Sequence, residues 1–274
     1  MTGTSNCTEV TPQCPVSATT YGYRPNLGGN CLFAAIFGLC AVYQLVAGIR
    51  SRQKMFAIAL TVGCVMELIG YTGRIKMHKN PWDSGGFETQ IICLILAPSF
   101  VAAGIYWSLK HIVMVLAPEK SLLRPDLYPL IFVGCDIGSI LLQAAGGELL
   151  DAGNNIMIAG IAFQVATMAA CGVLAAIFVV RLVREGRPEA VLRDEKMSPR
   201  ETRLFKYFCF GEVLAYVTVL IRCIYRLPEM VGGWGNPLMQ NEKEFMILDG
   251  AMVAIAVITL TVLHPLYTCR FLRR

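Results

Sequence analysis

The sequence predicts an all-α integral membrane protein of seven transmembrane helices, with its N-terminus outside and its C-terminus cytoplasmic. Three observations carry this. Apolar residues make up 55% of the 274 residues and charged ones only 16%, against about 25% charged in a soluble domain. The apolar residues fall in blocks about as long as the ~20-residue helix that crosses a bilayer. Lys and Arg gather in alternate short connections, as the positive-inside rule requires. The mean hydropathy is +0.55, which excludes a disordered chain and argues against an ordinary soluble globule. Eleven cysteines are too dilute for a disulfide scaffold at this length. A net charge of +5 implies no more than weak affinity for anionic surfaces, and no nucleic-acid partner or cofactor is expected.

Residues 1–29 form a short polar extracellular segment rich in Thr, Ser, Pro and Gly. It has neither a basic n-region nor an apolar h-region, so the first span is expected to start insertion itself. Asn6-Cys7-Thr8 is a glycosylation sequon, which makes Asn6 a candidate acceptor. Cys7 and Cys14 are the two cysteines expected in an oxidising aqueous setting, and so are candidates for a disulfide. The membrane domain, 30–266, holds spans at about 30–49, 55–74, 88–109, 126–147, 156–180, 205–227 and 244–266. The first lacks any charge, and so does the fifth. Pro98 should kink span 3. Gly134 and Gly138 on span 4 make a small-xxx-small pair suited to helix packing. His264-Pro265 should end span 7. With the N-terminus outside, seventeen of the 24 Lys and Arg face the cytoplasm, mostly in the loop at about 181–204 and in the basic tail 267–274. That loop reads as an anchor beside anionic lipid. No internal repeat is evident, which weakens an inverted-repeat transporter.

Each ionisable residue inside a span needs a reason, because burying a charge in the bilayer costs a few kcal/mol or more. Span 2 carries Glu67, Tyr71 and Arg74 at spacings that share one face with Gly70. Span 4 carries Asp136, Ser139 and Gln143, and span 5 carries Gln164. On span 6, Glu212, Arg222, Arg226 and Glu229 fall within about 100° of arc at 100° per residue. Span 7 adds Asp249 about one turn inside. Glu67, Arg74, Gln143, Gln164, Arg222, Arg226, Glu229 and Asp249 then share the outer half, with Asp136 near the middle. The cytoplasmic half holds mainly Glu212, His111 and His264. Two readings stay open: a polar cavity that opens outward and contacts a substrate, or acid–arginine pairs that only lock the helices together.

Several functions lack their motif. There is no P-loop, no G-x-S-x-G and no H-E-x-x-H, so an enzyme is not expected. Span 3 ends in Lys110-His111 without D-R-Y, and span 7 in His264-Pro265-Leu266-Tyr267 rather than N-P-x-x-Y, which disfavours a G-protein-coupled receptor.

The ordered set Tyr21-Gly-Tyr-Arg-Pro25, Glu67-Leu-Ile-Gly-Tyr-Thr-Gly-Arg74, Ala97-Pro98 through Tyr106, Asp136 with Gln143-Ala-Ala-Gly-Gly147, Gly160-Ile-Ala-Phe-Gln164, Ile221-Arg222-Cys-Ile-Tyr-Arg226 with Glu229, and Asp249 with His264-Pro265 resembles the fungal RTA-like family. This family is also called the lipid-translocating exporters and is named for resistance to aminocholesterol. The resemblance spans about 21–266, with Cys223 and Tyr225 where the family often shows Ser and Phe. It implies a fungal seven-span protein of the plasma membrane that translocates sphingoid long-chain bases, phospholipids or sterol-like toxic amphiphiles and confers resistance to them. Its partners would be membrane lipids or amphiphilic small molecules. A lipid or drug sensor without transport is the alternative. A further one is haem or porphyrin handling, with His111 and His264 as ligands.

Overall fold

The computed structural model describes residues 7–50, 53–148, 153–184, 199–233 and 235–265. Seven helices long and apolar enough to cross a membrane account for most of them. They are α1 (Leu27–Arg50), α2 (Lys54–Lys79), α3 (Ser84–Leu116), α4 (Leu127–Glu148), α5 (Gly153–Arg184), α6 (Pro199–Val231) and α7 (Glu242–Val262). The predicted spans coincide with these helices, but α1, α2, α3, α5 and α6 run longer, while α7 stops short of 266. At ~1.5 Å per residue, the 33 residues of α3 and of α6 exceed a ~30 Å hydrocarbon core and project beyond it. Pro98 lies inside α3 without ending it, and Pro228 inside α6. α5 is described to Arg184 and α6 from Pro199; residues 185–198, like the tail beyond 265, fall outside the described residues. Span 7 ends at Val262, just before His264-Pro265.

Each helix packs on the next in sequence, and α1 closes the ring against α7. α3 also meets α6 across the ring and is the most buried of the seven. The contact between α2 and α3 is close because α2 presents glycines there. A Cβ on Gly73 would lie 2.7 Å from the Gly86 carbonyl oxygen, and one on Gly70 would lie 2.5 Å from a Leu94 methyl. Gly134 and Gly138 behave differently from expectation: a Cβ on either would meet nothing within 4 Å. Their face of α4 points away from the bundle, so they mediate no packing among the described residues. The core runs from Phe33 and Phe37 of α1 through Tyr71, Leu94 and Tyr106 to Val219 and Val257. The outer faces are apolar too: Leu39, Ile49, Leu130 and Phe210 are exposed, as a lipid-facing surface demands.

Residues 7–25 form a strap over one end of the bundle. A disulfide joins Cys7 to Cys14, as the sequence suggested; Asn6, the candidate glycosylation site, lies outside the described residues. Trp82 Nε1 donates to the Cys14 carbonyl at 3.2 Å, and Asn80 Nδ2 to the Thr8 carbonyl at 2.8 Å. Tyr21 is buried among Phe87, Met77, Met157, Met230 and Met239.

Candidate functional site

α6 supplies two guanidiniums one turn apart, and α7 supplies the carboxylate between them. Arg222 Nε lies 2.9 Å from Asp249 Oδ1, and Arg226 Nε lies 3.5 Å from the same oxygen. Arg226 Nη1 also pairs with Glu229 Oε2 at 2.6 Å, and Arg222 Nη2 donates to the Leu94 carbonyl of α3. Asp249 sits in a π-helical stretch, Phe245–Ala251, that interrupts α7. Such wide turns are uncommon and recur at functional sites. Gly250 in that stretch leaves room for the Tyr71 hydroxyl, which a Cβ there would approach to 2.7 Å. The Tyr71 ring stacks on Phe37, with centroids 5.7 Å apart.

Glu67 of α2 lies near enough to Asp249, Arg222 and Arg226 for their charges to act on it. Neither of its carboxylate oxygens has a hydrogen-bond partner among the described residues, and its side chain is wholly buried. The cluster therefore gathers three acids (Glu67, Glu229 and Asp249) around two arginines. With every group ionised it carries one uncompensated negative charge. In a low-dielectric interior such an imbalance calls for a proton or a cation.

Arg74, one turn from Tyr71 on α2, belongs to a different set. Its Nε donates to Asn30 Oδ1 at 2.9 Å, Nη1 to Gln90 Oε1 at 3.4 Å and Nη2 to the Tyr23 hydroxyl at 3.1 Å. Glu242 Oε1 is 3.6 Å away, and the guanidinium lies over the Phe245 ring, 4.0 Å from its centroid. Gln90 Nε2 reaches on to the Tyr21 hydroxyl at 2.6 Å. Burial pushes the Tyr21 and Tyr23 phenols above their ordinary pKa, and the Arg74 charge partly opposes it, so both stay neutral donors and acceptors. Arg74 thus ties the strap to α1, α2, α3 and α7.

A third set joins α3, α4 and α5. Gln143 Nε2 donates to Gln164 Oε1 at 3.3 Å, and Gln164 Nε2 to Ser99 Oγ at 2.7 Å. The Ser139 hydroxyl donates to the Asp136 carbonyl at 2.7 Å. The buried Asp136 carboxylate faces the Tyr106 hydroxyl.

All ten residues singled out in the spans are thus buried. Glu67, Arg222, Arg226, Glu229 and Asp249 come together; Arg74 forms its own centre; Asp136, Gln143 and Gln164 line the α4–α5 side. Sequence reasoning passed over Asn30, Gln90 and Ser99, and it noted Glu242 only as the start of span 7. Asn30 and Gln90 were detectable as polar residues in otherwise apolar stretches. Glu212 was noted as the deep acid of span 6, and it lines an apolar groove far from these arginines. His264 packs against the Phe56 and Tyr43 rings, and His111 Nδ1 bonds the Trp107 carbonyl at 2.8 Å.

These features define a polytopic helical membrane protein with an ionisable centre buried where α2, α6 and α7 meet. Its residues 60–271 match the family described as RTA1 like protein, and the chain belongs to that family. It is 35% identical over 278 residues to the sphingoid long-chain base transporter RSB1 of Saccharomyces cerevisiae, covering 89% of this chain and 72% of that protein. Protein RTA1 of the same yeast is 25% identical over 90% of this chain and 84% of its own. Protein RTM1 is 26% identical over 78% and 68% respectively. No solved structure matches significantly.

Proposed function

We propose that this protein translocates amphiphilic lipids across the plasma membrane, with sphingoid long-chain bases as its main substrate class, and that it thereby confers resistance to them. The observation that carries this reading is the 35% identity, over 89% of the chain, to a sphingoid long-chain base transporter. The surplus acid among Glu67, Glu229 and Asp249 supports it, since an ammonium head group or a proton would balance that charge. The chain acts as a single membrane domain, with the strap outside and the basic tail in the cytoplasm. The sequence has no P-loop, so movement is downhill or coupled to protons. Chemistry on the substrate is not part of the reading.

The test is translocation of a labelled sphingoid base and a labelled phospholipid in proteoliposomes holding only this protein. Base movement above empty-vesicle controls, and lost in Glu67→Gln, is the expected result. With folded protein, no movement of either lipid would overturn the reading.

A further inference from the structure

At the end of the bundle away from the strap, α3, α5 and α6 enclose an apolar groove of about 460 Å³, within the ~300–1,000 Å³ of small-molecule sites. The volume exists because α5 turns small residues to it: Cys171, Gly172, Ala175 and Ala176. Its rim on the lipid side is made by exposed Val179, Val180, Val213 and Val217, so an alkyl chain can enter sideways from the bilayer. Along α3 the lining runs from Ile105 to Leu116, a length of ~16 Å at ~1.5 Å per residue.

One carboxylate interrupts this wall. Glu212 of α6 is only 6% exposed, and both of its carboxylate oxygens are buried. The neutral Ser108 hydroxyl is within reach of it, and no lysine or arginine among the described residues pairs with it. Tyr216, also on the wall, donates its hydroxyl to the Met168 carbonyl at 2.8 Å. A buried carboxylate calls for a counter-charge, and the apolar groove beside it suits an alkyl tail. A single molecule with both supplies both.

We infer that this groove is a binding site for a single-chain amphiphile with a primary ammonium head group: the ammonium sits on Glu212 and the alkyl chain lies along α3 past Ala176. The inference rests on the proposed function and deepens it, placing the head group on a carboxylate separate from the Glu67–Asp249 centre. In a molecule with its strap outside, this site would take substrate from the cytoplasmic half of the bilayer.

The test uses the purified full-length protein in nanodiscs and a tritiated sphingoid base, with octadecylamine and octadecanol as competitors. Saturable binding should be displaced by octadecylamine and resisted by octadecanol. Glu212→Gln should weaken it by about tenfold or more, as loss of a buried charge partner does, and Glu212→Asp should restore part of it. Ala176→Phe fills the groove without touching the acid and should weaken binding as well, so the assignment does not depend on one variant folding. Wild-type affinity in both Glu212→Gln and Ala176→Phe, or equal displacement by amine and alcohol, would overturn the site while leaving translocation intact. If the wild-type protein neither binds nor moves the base, the proposed function falls and takes this site with it.

Discussion

At Asp249 a single oxygen is shared by two guanidiniums, Arg222 at 2.9 Å and Arg226 at 3.5 Å. Removing one member of a buried pair leaves an uncompensated charge and costs about 3–5 kcal/mol. Asp249→Asn should therefore lower the yield of folded protein and its melting temperature in detergent, read by size-exclusion chromatography and a thermal ramp. Glu67 is different: it lies near the same groups but makes no ion pair within 4 Å among the described residues. Glu67→Gln should keep a wild-type elution profile yet lose about tenfold in transport rate, which is ~1.4 kcal/mol in the barrier. If Glu67→Gln instead loses yield and transport together, the centre is a structural tie. The sequence located all these residues, because ionisable groups in apolar blocks stand out. It did not show which acid meets which arginine. Helical spacing gives the azimuth of a residue on its own helix, not its neighbour across the interface. In α7 the π-helical stretch also changes that azimuth for every residue beyond it.

The helices were legible as apolar blocks, and their number and order follow from length and charge alone. Their ends were not. Apolarity marks where lipid begins, whereas a helix can continue into water as α3, α5 and α6 do. Nor does a glycine pattern say which glycines pack. Gly134 and Gly138 fit the small-xxx-small spacing but face open space, while Gly70 and Gly73 lie against α3. For Gly73 the obstacle is the backbone oxygen of Gly86 at 2.7 Å, which no side-chain rotation can move aside. Gly73→Ala must push α2 from α3 and should destabilise by about 1–3 kcal/mol, as overpacking does. Gly134→Ala should stay within about 0.5 kcal/mol, like other surface changes. Melting of the two variants in the same detergent compares them directly. Equal losses would mean that the α4 face is also packed, against another molecule.

Over the whole molecule, the two ends have different chemistry. One end holds the strap, with its Cys7–Cys14 disulfide and the Arg74 centre that fastens it to four helices. At the other, α5 ends with Arg181 and Arg184, and α6 begins with Arg200 and Arg203. A disulfide is kept in an oxidising compartment, and positive loops are expected in the cytoplasm; both support the proposal that the strap lies outside. The bridge closes a short loop, a sequence separation of 7, for which chain entropy gives about 2 kcal/mol. It should thus stiffen the strap rather than hold up the bundle. In intact cells, an impermeant maleimide should label Cys7 and Cys14 only after an impermeant reductant, with a Cys7→Ala/Cys14→Ala double variant as the background. Cys31, exposed near the same end on α1, is present in both samples and cancels. Labelling that requires permeabilised cells would invert the molecule. It would put the strap in the cytoplasm and the Glu212 groove in the outer half of the bilayer, and so reverse the side from which that groove takes its substrate.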